Sequence, residues 1–271
     1  MDTQYVLEEI EEWEKSFDHK HSDVETKIDE WIGKIVALAG RSEKESVIEK
    51  IDELLFFIHA NLQGTRLQKE ARDSIIDTAR IFNSDIRSIQ DLRHLSIHQL
   101  TYLAKQEIAR GKLSSFVQGG LSGTGGLFLL SVDFPLMLIM NLRLVQLIGL
   151  CFGRDVNHPS EMMFSLKLFH AATLPKRSRK SAWLQLIDEA KKETAYLYEG
   201  EDKVFDASWL DQPIKQLTKS LILYTARKKT TQGFPITGMA IGAVTNYKLT
   251  SSISDHALRF YQKRYFIDQR M

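Results

Sequence analysis

The chain has one cysteine and five prolines in 271 residues. A single thiol, Cys151, excludes an intramolecular disulfide and fits a reducing compartment. The scarcity of proline leaves long stretches of Glu, Lys, Leu, Ile and Ala unbroken, and no segment sustains the apolar and polar alternation that marks a strand. The expected fold class is therefore all-α, a compact multi-helix domain. The opening residues, Met1-Asp-Thr-Gln-Tyr-Val-Leu-Glu-Glu, are acidic and lack the basic-then-apolar order of an export signal, so a cytoplasmic location is expected.

Chemical signatures are scarce as well. The glycine-rich run Gly119 to Gly126 lacks the Gly-Lys-Ser/Thr ending of a phosphate loop and follows no strand-like segment. His94 and His98 are four apart on an expected helix, the spacing of two metal ligands on one face. The residues between them are Leu-Ser-Ile, without the glutamate that a His-Glu-x-x-His site uses as its base. His59 and His170 are isolated, and Cys151 has no local His or Asp partner. No catalytic residue, metal or cofactor is expected on these grounds.

What is present is ordinary in bulk and uneven in detail. With 43% hydrophobic and 26% charged residues the chain can bury a core as one large domain, and a net charge of +1 gives no reason to expect a nucleic-acid partner. Residues 1–112 carry 16 basic and 22 acidic side chains, whereas residues 170–271 carry 17 basic and 10 acidic. The domain thus reads as an acidic stretch over 1–112, an apolar glycine-rich core over 113–175 and a basic stretch over 176–271. Basic clusters occur at Lys176-Arg177-Ser178-Arg179-Lys180, Arg227-Lys228-Lys229 and Lys263-Arg264. Solvated helix faces are their plain use; an anionic lipid surface or acidic partner would gain roughly 1 kcal/mol per well-placed charge.

Tyr5, Val6, Ile10, Trp13 and Phe17 recur at helical spacing, and the period continues over Asp23–Ala39, Ser46–Leu62 and Leu67–Phe82. A further helix is expected from about Ser88 to just before Gly111. Ser160 is the expected cap of another, with Glu161 in its first turn. Pro175 and the basic cluster read as a break, followed by helices over Trp183–Tyr198, Ile214–Lys229, Ile236–Tyr247 and Ser254–Phe266.

Five of the fifteen glycines fall between Gly119 and Gly126. Ser115, Gly119 and Gly123 repeat every four residues, and a second stripe places Gly238 and Gly242 four apart, ahead of Asn246. Such stripes let helices approach closely, so the two either pack together or line one cleft. From Phe134 to Phe152, a nineteen-residue run could span about 28 Å as a helix. Asn141, Arg143 and Gln146 near its middle argue against a membrane span, since one central arginine costs roughly 2.5–3.5 kcal/mol. The expected centre is instead a glycine-striped apolar helical hairpin that turns at Asp133-Phe134-Pro135, with Asp133 as N-cap. Asp133 and Arg143 sit in apolar surroundings where a charge needs compensation. Arg143 either snorkels to water or meets a carboxylate such as Asp155 or Glu161, of which Glu161 is the first to test.

In this order, Gly119–Gly126, Asp133-Phe134-Pro135, Asn141-Leu142-Arg143-Leu144, Gly153 with Asp155, Glu161, and Pro235-Ile-Thr-Gly238-Met-Ala-Ile-Gly242 leading to Asn246-Tyr247 resemble the EcsC protein family. The likeness runs from Leu7-Glu-Glu-Ile-Glu-Glu-Trp13 almost to the end, with Phe152 where many members carry tyrosine. The resemblance implies a helical bacterial protein, named for its place beside the genes of an ABC-type exporter, without an agreed activity or catalytic residues.

Three functions follow as expectations. The first is a non-enzymatic protein at the inner membrane surface that binds lipid or a membrane protein such as an ABC exporter. Its basic residues Lys176, Arg177, Arg179, Lys180, Arg227, Lys228 and Lys229 would supply attraction. The second is a soluble carrier of a hydrophobic small molecule, in a cleft of Gly119, Gly123, Gly126, Asp133, Arg143, Glu161, Gly238, Gly242 and Asn246. A hydrolase is third.

Overall fold

The longest helix runs from Pro235 to Gln269, thirty-five residues or about 52 Å of continuous α-structure. Proline at its first position needs no amide partner, and no proline follows within it. Two separate helices were expected here, because Lys248-Leu-Thr-Ser-Ser-Ile253 has low helix propensity. The structure carries the helix straight through. Thr250 donates its hydroxyl to Ser115 Oγ across a buried contact at 2.7 Å, and Ser254 donates to the carbonyl of Ser251 at 3.0 Å. Tertiary packing and satisfied hydroxyls thus outweigh intrinsic preference.

In the computed structural model, residues 3–18, 66–122, 126–174, 176–193 and 235–269 are described. They form α1 (Thr3–Lys15), α2 (Arg66–Ala79), α3 (Ile97–Ser122), α4 (Gly126–Cys151), α5 (Pro159–Thr173), α6 (Lys176–Glu193) and α7 (Pro235–Gln269). Short 3₁₀ turns cover Ser16–Asp18 and Gln90–His94. No strand occurs among the described residues, so the fold is all-α. The helices expected over Asp23–Ala39, Ser46–Leu62 and Ile214–Lys229 lie outside them.

Helix α7 is the spine. It packs along α3 and also touches α4, α5, α6 and α1. Its Ile253, Ala257, Phe260 and Tyr261 are buried against Leu100, Leu103 and Ala104 of α3 and Leu142, Val145 and Ile148 of α4. Gln262 Nε2 donates to Thr101 Oγ1 at 3.0 Å, and Thr250 meets Ser115. These two pairs fix α3 and α7 as antiparallel. Helix α4 follows α3 after three residues and packs back on it, so α4 runs parallel to α7.

Several expected boundaries move. Helix α3 begins at Ile97 because Ser96 and Gln99 form a capping box, with Gln99 Oε1 accepting the Ser96 amide at 2.9 Å. His94 therefore ends a 3₁₀ turn and His98 opens α3, so they share no helix face. Gly111 does not stop α3. A side chain there would lie 2.7 Å from Leu144 Cδ2, so the glycine admits close contact with α4. The expected corner at Asp133-Phe134-Pro135 is likewise absent: α4 runs through all three residues. Helix α3 extends to Ser122 and α4 begins at Gly126, both within the glycine-rich run, where helix propensity is low. The N-cap of α5 is His158, two residues before Ser160, with Pro159 at the first helical position. The cluster from Lys176 to Lys180 opens α6 instead of interrupting the chain, and Arg179 Nε donates to the Leu174 carbonyl at 2.8 Å beyond the end of α5.

Candidate functional site

Three places concentrate chemistry along α7. Near its C-terminus lies a buried ionic cluster. Glu161, in the first turn of α5, accepts from Arg264 Nη1 at 2.7 Å, with both side chains about 95% shielded from solvent. Arg154 approaches the same Glu161 oxygen at 3.9 Å and also pairs with Asp268. Tyr261 donates its hydroxyl to the other Glu161 oxygen at 3.4 Å. The Arg264 guanidinium stacks over Phe164, 4.7 Å from the ring centre, and over Phe260 at 5.6 Å. Burial, then the neighbouring Glu161 charge, pushes the Tyr261 hydroxyl up from its ordinary pKa. Burial pulls Arg154 down. Both Glu161 oxygens are occupied, so this carboxylate clamps α5, α7 and the α4–α5 corner together and has no oxygen aimed at a reactant.

The corner itself needs glycine twice. Gly153 has φ +73°, and a Cβ there would meet Arg93 Cγ at 2.6 Å. Its carbonyl accepts from Arg93 Nε at 3.0 Å. Gly149 faces Tyr261, whose Oη would lie 2.8 Å from an added Cβ. Phe152 stacks on the Tyr261 ring, with centroids 6.0 Å apart. The partner expected for Arg143 is thus taken: among the described residues Glu161 pairs with Arg264 and Arg154. Asp155 accepts instead from the Asn157 amide and side chain.

The second place is the seam under α1. Trp13 packs edge-on against Trp183 and His256, with centroids 4.9 and 4.8 Å apart. Trp183 Nε1 donates to Glu14, which also pairs with Lys263, while Glu9 pairs with Arg259 at 2.9 Å. The guanidinium of Arg259 holds the Glu9 carboxyl below its ordinary pKa. His256 is buried, its Nδ1 bonded to the Ser252 carbonyl, and burial drops its pKa from 6.5 to about 4. Burial lowers His170 to about 4 as well.

Both histidines are therefore neutral when folded, and as pH falls the unfolded chain takes up their protons first. Their stabilisation is complete above about pH 6.5 and disappears on descent towards pH 4, at most on the order of 3 kcal/mol each. Thermal melts between pH 7.5 and 4 should show this acid limb. His256→Leu should flatten it; an unchanged slope would show that His256 does not contribute.

The third place is the opposite end of the bundle. The C-terminal turns of α3, from Leu113 to Ser122, contain no charged residue, and neither does α7 from Pro235 to Tyr247. The first half of α4, from Gly126 to Met140, contains one, Asp133. Because α3 is antiparallel to the other two, these segments converge at one end. There Leu113, Phe116 and Val117 of α3 and Val244 and Tyr247 of α7 are exposed. Lys248 is exposed level with Phe116 and Val117, and behind it Arg110 pairs with Glu107 at 2.5 Å and Lys112 with Asp255 at 3.6 Å. Lys180 is exposed and Arg179 half-buried in the first turns of α6.

The expected cleft residues divide between these ends. Gly119 and Asn246 are buried near the uncharged end, and Gly126, Asp133, Gly238 and Gly242 lie on the helical segments that reach it. Arg143 is half-buried in the middle of α4. Glu161 is at the other end, level with Arg264, eighteen residues or about 27 Å along α7 from Asn246. Gly123, Arg227, Lys228 and Lys229 lie outside the described residues, and Lys176 and Arg177 are placed only as the first residues of α6. Arg154, Tyr261, Arg264 and Asp268 were missed, because nothing local in sequence joins positions a hundred residues apart.

A model of the EcsC protein family matches residues 4–266, almost the whole described and undescribed chain together. The chain belongs to the EcsC family. It is 26% identical over 263 residues to Protein EcsC of Bacillus subtilis (strain 168), covering 97% of this chain and 96% of that protein. The uncharacterized protein YdbA of the same organism is 22% identical over 273 residues, 99% of this chain and 94% of its own length. No solved structure matches. The EcsC match therefore spans all three places along α7, the ionic clamp, the α1 seam and the uncharged end.

Proposed function

We propose that this EcsC-family protein is a peripheral membrane protein whose uncharged end enters one leaflet of an anionic bilayer. The observation that carries the reading is the convergence of three helix segments holding a single charge, with exposed Leu113, Phe116, Val117, Val244 and Tyr247, Lys248 at their margin, and Arg110, Lys112 and Lys180 behind. Apolar side chains ahead of a basic level suit a surface whose interior is hydrocarbon and whose headgroups are negative. The uncharged start of α7 is about 19 Å long, well short of a hydrocarbon core of about 30 Å. Consistent with a wedge, no helix among the described residues is long and apolar enough to cross a membrane.

Purified protein is expected to float with vesicles containing phosphatidylglycerol, to stay behind with phosphatidylcholine alone, and to bind less as salt screens the basic level. Replacing Leu113, Phe116 and Val117 together by serine should leave the melting temperature within a few degrees and weaken vesicle binding at least about tenfold, since each buried apolar side chain contributes roughly 1.5–3 kcal/mol. Equal recovery in the unbound fraction with both lipids would overturn the reading. Binding to native membranes but to no lipid vesicle would replace it with a membrane-protein partner.

A further inference from the structure

Among the described residues, the uncharged end contains a buried donor that its surroundings do not serve. The register set by Thr101 with Gln262 and Ser115 with Thr250 places Asn246, one turn beyond Thr250, opposite Gly119. Gly119 is buried and Asn246 is 8% exposed. The Asn246 Nδ2 is shielded from solvent and has no hydrogen-bond partner among the described residues. A buried amide without an acceptor keeps its full desolvation cost, and such a group is uncommon in a folded core. Position 246 is also only one and two residues from exposed Tyr247 and Val244, and about 3 Å along the axis from Lys248.

We propose that Asn246 is a lipid-binding residue: its side-chain amide donates to an acceptor oxygen of a phospholipid once the uncharged end has entered the leaflet. The proposal rests on the membrane reading above and adds a ligand class to it. An NH₂ group donates only, so it selects an oxygen acceptor and not a cation. With Lys248 at the phosphate level, Asn246 stands about 3 Å inside it, where phosphate and glycerol ester oxygens lie. Gly119 has no side chain to block the amide. The terminal torsion of asparagine is broad, so the NH₂ can swing towards the edge between Val244 and Tyr247.

The test titrates wild type and Asn246→Leu with phosphatidylglycerol vesicles, alongside a thermal melt. Leucine fills similar space without a polar group, so the variant should melt at the same temperature or higher while binding about tenfold more weakly. Should it not fold, Asn246→Ala takes its place in both measurements. Ether-linked phosphatidylglycerol, which has no ester carbonyl, separates the oxygen sources. A wild-type loss on ether lipid equal to that of the variant assigns the carbonyl, and undiminished wild-type binding assigns the phosphate. Wild type and both variants binding alike would overturn the role of Asn246 and leave the membrane reading standing. Wild type failing to bind any vesicle would overturn both.

Discussion

Arg264→Ala is expected to lower the melting temperature by on the order of 10 °C. The substitution removes the 2.7 Å partner of Glu161 and leaves a carboxylate 4% exposed, with Arg154 at 3.9 Å and the Tyr261 hydroxyl at 3.4 Å. Breaking one side of a buried pair costs about 3–5 kcal/mol, because the remaining charge keeps its desolvation penalty. In a domain of this size each kcal/mol moves the midpoint by roughly 2–4 °C. The loss should be conditional on that charge. Glu161→Gln combined with Arg264→Met, which leaves neither a buried carboxylate nor a buried guanidinium at the pair, should recover at least half of it. Melts of Arg264→Ala and of the double variant decide the matter. A double variant no more stable than Arg264→Ala would mean that Arg264 acts by packing on Phe164 and Phe260.

Gly149→Leu should be comparably damaging for a steric reason. An added Cβ would stand 2.8 Å from Tyr261 Oη and 2.9 Å from Cζ, and the ring has nowhere to go. Tyr261 is 1% exposed, stacked on Phe152 and bonded to Glu161. Overpacking a filled core typically costs about 1–3 kcal/mol, and leucine adds three carbons beyond the one that already collides. Expression with a midpoint lowered by several degrees, or failure to accumulate folded protein, is the expected result. Tyr261→Phe in the same chain should give back only part, since Cζ remains in the way. A Gly149→Leu protein that melts like wild type would show that α4 and α7 can separate without cost.

Periodicity was enough to read the all-helical class and most helices, because an apolar stripe against a polar face is a local property. Boundaries failed where tertiary contacts decided them. Gly111 passes inside α3 because Leu144 lies against it, Thr250 stays helical because Ser115 accepts its hydroxyl hydrogen bond, and Pro135 lies within α4, which already begins at Gly126. Glu161 was expected as the partner of Arg143, since an arginine among apolar residues needs a carboxylate; it pairs with Arg264 instead. The wrong arginine was chosen, because Arg143 is near in sequence and Arg264 is near in space. The glycine stripes and Asn246 were visible as spacing. Which residues faced which required the register of two helices.

The spine of the bundle is also the helix that the others wait for. In chain order α7 comes after every other described helix, yet the grooves of α3, α4, α5 and α6 close only around it, and the Glu9–Arg259 pair joins residues 250 positions apart. During synthesis α4 leaves the ribosome about a hundred residues before the helix that packs on it, a delay of several seconds at usual elongation rates. The core therefore cannot close until α7 has emerged, and a ribosome stalled before Pro235 would present a chain whose grooves lack the helix that fills them.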